Sequence, residues 1–154
     1  MSSLAEDQAH LLRVLARHGV SFVVIGGVAA QLHGWQGALT DLDIAVSKDD
    51  SNVDRFNQAL AAVGAGPGDI GGKGTSFRTR YGRLEVVRNA DGIGGYEAWL
   101  EQASEQQFET LTIIVAAPGD ILRSKEAAGR DKDRAALPGM RRGFEESGLL
   151  EPRD

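Results

Sequence analysis

Cysteine is absent from the 154 residues of this chain. Disulfides, thiolate zinc sites and cysteine nucleophiles are therefore excluded. A basic excess is also missing: 17 Lys and Arg face 22 Asp and Glu, for a net charge of −5. Proteins that hold nucleic acid through its backbone carry the opposite balance, so non-specific DNA binding is not expected. No apolar run approaches the roughly 20 residues that span a bilayer, which excludes a helical membrane anchor. The first ten residues, MSSLAEDQAH, contain acids and no apolar core, and do not read as a signal peptide. A cytoplasmic protein is the expectation. There is no G-x-S-x-G elbow and no H-x₃-H pair. His10, His18 and His33 are scattered, with only His33 near a segment of interest.

What is present is an alternation of helical and strand patterns. Leu4, Leu11, Leu12 and Leu15 recur at helical spacing over 4–18, with Ser2 or Ser3 as a start signal and Gly19 as a stop. Phe22 to Ile25 is a short β-branched run, read as a buried strand that Gly26-Gly27 ends. A short helix over 28–32 follows. Residues 41–47 read as a second strand and 51–63 as an amphipathic helix. The segments 75–80 and 83–88 form a hairpin turning at Tyr81-Gly82. A short helix over 96–103, a strand over 111–115, a helix opened by Pro118 and a final helix from Asp131 to Met140, disturbed by Pro138, complete the pattern. The fold class is α/β (α+β): a small mixed β-sheet with flanking helices. One domain over 1–143 and a polar tail over 144–154 are expected.

The glycine-rich stretch GAGPGDIGGKG, 64–74, suggests a phosphate loop only superficially. A P-loop needs glycine where Pro67 stands and serine or threonine where Gly74 stands. It reads instead as a plain loop. The basic residues between Arg123 and Arg142 read as a solvated helix face, with a local anion-binding patch as the other option.

Three carboxylates carry the chemical signal. Asp41 and Asp43, at i and i+2 of a strand, project to one face. Two carboxylates that close repel unless a cation or a shared proton intervenes, and a hard divalent ion such as Mg²⁺ takes oxygen ligands. The alternative is a solvated strand face. Glu85, in RLEVV, sits among apolar neighbours where an acid needs a partner. That partner is either the aspartate pair, through a shared metal site, or an arginine such as Arg78, Arg80 or Arg83. Gly26-Gly27, between strand and helix, allows close backbone approach to an anion, or merely a tight turn.

The order Gly-Gly corner, short helix, Gly34, Asp-x-Asp, then an acid on a later strand resembles the nucleotidyltransferase superfamily with its polymerase-β-like minimal core. SKEAAGRDKDRAAL, 124–137, resembles the Lys-x₄-Arg-x₂-Asp stretch of small bacterial members, which include abortive-infection and toxin–antitoxin toxins. The resemblance spans roughly residues 5–140. It implies a Mg²⁺-dependent enzyme moving a nucleoside monophosphate from an NTP to a hydroxyl of RNA, protein or a small molecule. It places Gly26, Gly27, Thr40 and Lys125 at the nucleotide and Asp41, Asp43 and Glu85 at one or two metal ions. Catalysis would rest on Asp41, Asp43, Glu85 and Lys125. Asp133 matches a late aspartate to which no role is assigned. A cognate antitoxin or a homodimer are the implied macromolecular partners.

The chain departs from the pattern at several places. Gly27 stands where serine is frequent, Gly37 and Leu39 where many small members carry arginine and threonine, and Glu85 where aspartate is usual. These departures favour a second expectation, a catalytically weak or inactive nucleotide-binding module on the same fold.

Overall fold

The computed structural model describes residues 5–37, 41–66, 69–70 and 74–151. The apolar run Phe22–Ile25 forms β1, buried along its whole length in the interior of a seven-stranded sheet. On one side lie β2 (Asp41–Val46), β5 (Gly82–Val87), β4 (Gly74–Thr79) and the two-residue β3 (Asp69–Ile70). On the other side lie β7 (Leu111–Val115) and β6 (Ser104–Phe108). The sheet is mixed: β1 runs antiparallel to β2 and parallel to β7, and β2 runs parallel to β5. The α/β architecture expected from sequence is therefore present.

Six helices flank this sheet. Helix α1 (Glu6–Arg17) buries Leu11, Leu12 and Leu15, packs against α3 (Asp50–Ala62) and reaches β2, β5 and β7. Helix α2 (Gly26–Leu32) and helix α4 (Tyr96–Gln102) cover β1 and β2, and α2 meets α5 (Pro118–Ala128). Gly129, at φ 63°, ends α5 in the left-handed conformation that glycine adopts without penalty. The chain then enters α6 (Asp131–Glu146), which packs on α5.

A buried asparagine ties the sheet to α3. Asn52 Oδ1 accepts from the Ser21 amide at 2.6 Å, while its Nδ2 donates to the carbonyls of Ser21 and Ser47 at 3.1 and 2.9 Å. The entry to β1 and the exit from β2 are thereby clamped by one side chain.

Four sequence expectations need correction. The short helix begins at Gly26 rather than Val28, so the glycine pair is its first turn. The polar segment SEQQF is the edge strand β6, which the sequence pattern did not indicate. The last helix continues past Pro138 to Glu146. Phe144, assigned to the polar tail over 144–154, is instead fully buried in the core, as is Met140 one turn earlier. The start signal at Ser2 or Ser3 lies outside the described residues. No helix among the described residues is long and apolar enough to cross a membrane.

Candidate active site

Strand register assembles the site. Asp43 of β2 pairs with Glu85 of the parallel β5 and with Ile25 of the antiparallel β1. Glu85 in turn pairs with Ser76 of β4, and Val87 with Gly74. Directly paired residues point to the same side of a sheet, and these six form the floor of a cleft of about 620 Å³. Its walls come from helices: Gly26 of α2, Trp99 of α4, and Ser124 and Lys125 of α5, with Arg130 and Asp133 at the start of α6.

Asp43 and Glu85 oppose like charges across the paired strands, a repulsion that a proton or a cation relieves. Burial, followed by the charge of Glu85, pushes the Asp43 carboxyl up to about 7, while Lys125 acts in the opposite direction. Asp43 Oδ1 is buried with no hydrogen-bond partner among the described residues. Two of the arginine candidates for Glu85 bond elsewhere: Arg83 donates to Ser76 Oγ at 2.7 Å and Arg80 to the Ala62 carbonyl.

Gly26 has a specific steric role. Its φ is +63°, and a Cβ built there would stand 2.5 Å from Asp43 Oδ2. The carboxylate of β2 thus lies directly on the bare backbone at the start of α2. Gly27, expected beside it at the nucleotide, is buried and does not line the cleft. Asp41 projects from the same strand face as Asp43, and its charge adds to the upward pressure on the Asp43 carboxyl, but it lies outside the cleft lining. Thr40 lies outside the described residues.

The opposite wall is basic. Lys125 Nζ stands 3.1 Å from Asp133 Oδ1, and Arg130 Nε donates to Asp133 Oδ2 at 2.7 Å. The Arg130 amide also reaches Oδ2, at 3.3 Å, so Asp133 closes the first turn of α6. Burial works against the charge of Asp133, yet Arg130 and Lys125 hold its carboxyl below the usual range. Arg130 is raised chiefly by that bond to Asp133, with the fields of Glu85 and Asp43 adding to it across the cleft.

His33 does not join the site. Its Nε2 stands 2.8 Å from the Ala116 carbonyl, and its Nδ1 faces Gln106 Nε2 at 3.3 Å. These contacts set the tautomer with Nε2 as the donor. Two further residues of the site were not assigned from sequence. Arg130 was legible as the arginine of Lys-x₄-Arg-x₂-Asp, three residues before an acid that caps a helix. Trp99 gave no signal; it is buried, and its Nε1 has no partner among the described residues.

Among the described residues no three acids close into a ready-made metal-ligand group. The donor chemistry nonetheless suits a hard divalent cation: two facing carboxylates, one with an orphaned buried oxygen.

Neither a protein-family model nor the sequence of a curated protein matches this chain. Solved structures do match in shape. The lincomycin-bound lincosamide antibiotic adenylyltransferase LnuA superposes with a TM-score of 0.66 at 14% identity, over 92% of this chain and 98% of that one. The antibiotic-resistance factor ANT(2'')-Ia gives 0.62 at 12% identity, over 95% and 90%. JHP933 from Helicobacter pylori gives 0.50 at 19% identity, over 94% and 70%. By these superpositions the chain has a nucleotidyltransferase-like fold.

Proposed function

We propose that this protein transfers a nucleoside monophosphate from an NTP to a hydroxyl group of a small-molecule acceptor, releasing diphosphate. The observation that carries this reading is the pairing of Asp43 with Glu85 across β2 and β5, in a cleft whose far wall holds Lys125 and Arg130. Acids on one side and cations on the other suit a phosphoryl centre whose charge must be neutralised while two oxygens exchange.

In this reading Asp43 and Glu85, with Asp41 beside them, would hold Mg²⁺. Bound there, Mg²⁺ would neutralise phosphate charge and make the acceptor hydroxyl easier to ionise. Lys125 binds the triphosphate and steadies the departing diphosphate. The bare backbone at Gly26 leaves room for the Asp43 carboxylate to keep its place at the site. The acceptor oxygen attacks the α-phosphorus, the bond from that phosphorus to the bridging oxygen breaks, and Glu85 receives the acceptor proton. A small-molecule acceptor is favoured because this chain spans 98% and 90% of the two antibiotic-related neighbours, against 70% of JHP933. Activity in the cytoplasm fits the absence of cysteine.

The test is incubation of the purified protein with labelled NTPs, Mg²⁺ and a panel of hydroxylated small molecules, including lincosamides and aminoglycosides, alongside an RNA pool. Label transfer that requires Mg²⁺ and is lost in the Asp41→Ala/Asp43→Ala double variant supports the enzyme. Tight NTP binding with no transfer to any acceptor favours the inactive nucleotide-binding module. Transfer to RNA alone redirects the acceptor assignment.

A further inference from the structure

Asp133 is more heavily engaged than a helix cap requires. A cap needs one bond to a backbone amide. The Asp133 carboxylate takes that bond and three more: Lys125 Nζ at 3.1 Å, Arg130 Nη2 at 3.2 Å and Arg130 Nε at 2.7 Å. Its side chain is completely buried, whereas those of Lys125 and Arg130 are 23% and 60% exposed. All three residues line the cleft wall, with the cations more exposed than the anion they hold. Lys125 and Arg130 are the only cations among the described residues lining the cleft. Both reach the same oxygen, Oδ1, so one carboxylate holds two like charges close together that would otherwise separate. The trio retains one net positive charge, facing Asp43 and Glu85.

The backbone supports the same arrangement. Lys125 lies in the last turn of α5 and Arg130 immediately precedes α6. Gly129, in the left-handed conformation, redirects the chain between them, so the two side chains reach one point from different helices.

We infer that Arg130 is a second phosphate-binding cation and that Asp133 is a positioning residue, aiming Lys125 and Arg130 together at neighbouring phosphates of a nucleoside triphosphate. This rests on the nucleotidyltransferase reading above and extends it to two residues. A monophosphate offers one phosphate to a clamp built for adjacent ones. The clamp therefore contributes to triphosphate binding and little to monophosphate binding.

Isothermal titration with Mg²⁺ and the four ribonucleoside triphosphates, their monophosphates, and tripolyphosphate tests this. The proteins are the wild type, Arg130→Gln, Lys125→Gln, Asp133→Asn and Asp133→Glu. In the expected result Arg130→Gln and Asp133→Asn weaken triphosphate and tripolyphosphate binding roughly 10- to 100-fold, as for loss of charge-assisted hydrogen bonds. Monophosphate binding changes by less than about twofold, and Asp133→Glu recovers part of the loss. Equal losses for tri- and monophosphate, or none for either, overturn the clamp and leave the nucleotidyltransferase reading intact. A wild type that binds no triphosphate overturns both. Should Asp133→Asn lose its cooperative thermal transition, the more exposed Arg130→Gln decides the matter alone.

Discussion

Asp43 and Glu85 face each other in register across the parallel strands β2 and β5, and the charge of Glu85 adds to burial in raising the Asp43 carboxyl. Neither helps the fold at neutral pH, because one must hold a proton or tolerate its neighbour's charge. Replacing Asp43 by Asn removes that conflict and supplies a donor for Glu85. In chelator at pH 8 the Asp43→Asn variant is expected to be more stable by about 1–3 kcal/mol. The same variant should lose the thermal stabilisation that Mg²⁺ with NTP confers on the wild type. Denaturant unfolding and thermal melts read both; a variant less stable than wild type would contradict the account of Asp43.

Gly26 should not accept a side chain. Alanine there meets a positive φ and places a methyl group 2.5 Å from Asp43 Oδ2. The expected cost is about 1–3 kcal/mol, from backbone strain and displacement of the carboxylate. Gly26→Ala should also weaken nucleotide-dependent stabilisation, since Asp43 cannot keep its position. Urea titration gives the first quantity and melts with Mg²⁺ and NTP the second. Wild-type behaviour in both would show that the approach of Asp43 to the backbone is dispensable.

Asn52 is expected to matter for stability and not for chemistry. Removing its side chain strands the Ser21 amide and the Ser47 carbonyl, while the Ser21 carbonyl keeps the Ser47 amide at 3.1 Å. Asn52→Ala should cost about 2–4 kcal/mol, measured by chemical unfolding, while nucleotide affinity of the folded fraction stays unchanged.

His33 provides a pH signature. Burial pushes its pKa below the ordinary 6.5, and the bond to the Ala116 carbonyl only partly opposes this. The unfolded chain therefore binds a proton that the folded chain refuses. His33 contributes its full share of stability above about pH 6.5, and that share is lost as pH falls through the lowered folded value. His33→Gln should flatten this part of the stability curve relative to wild type while costing about 1–3 kcal/mol at pH 7.5. Parallel curves for the two proteins between pH 5 and 7 would rule the assignment out.

The central strands were readable because they are buried and the code for burial is direct. Phe22–Ile25 is apolar at every position, and in 41–46 the acids alternate with Leu42 and Ile44. The acid cluster was readable for the same reason: Glu85 violates an apolar context, and only a shared site or a cation resolves it. What escaped was governed by neighbours rather than by local pattern. Strand β6 lies at the sheet edge, pairs only with β7, and buries only Phe108, so its sequence carries no strand-like alternation. Pro138 read as a disturbance to the last helix. The buried positions Asp133, Met140, Gly143 and Phe144 nevertheless keep helical spacing straight through it. Following that stripe would have placed α6 correctly. The function of Asp133 depends on contacts with Lys125 and Arg130, which spacing alone could suggest but not orient.

The two walls of the cleft come from opposite parts of the chain. Residues up to Val87 lay down the acidic floor on β2 and β5, while Lys125 and Arg130 arrive only with the last two helices. During synthesis, the sheet can therefore form its repelling carboxylates well before their counter-charges emerge. The α5–α6 unit then acts as the piece that completes the electrostatics of the fold. A fragment stopping before Pro118 would retain the strand pair and lack both cations, so the charge balance of the cleft is completed only when α5 and α6 join the sheet.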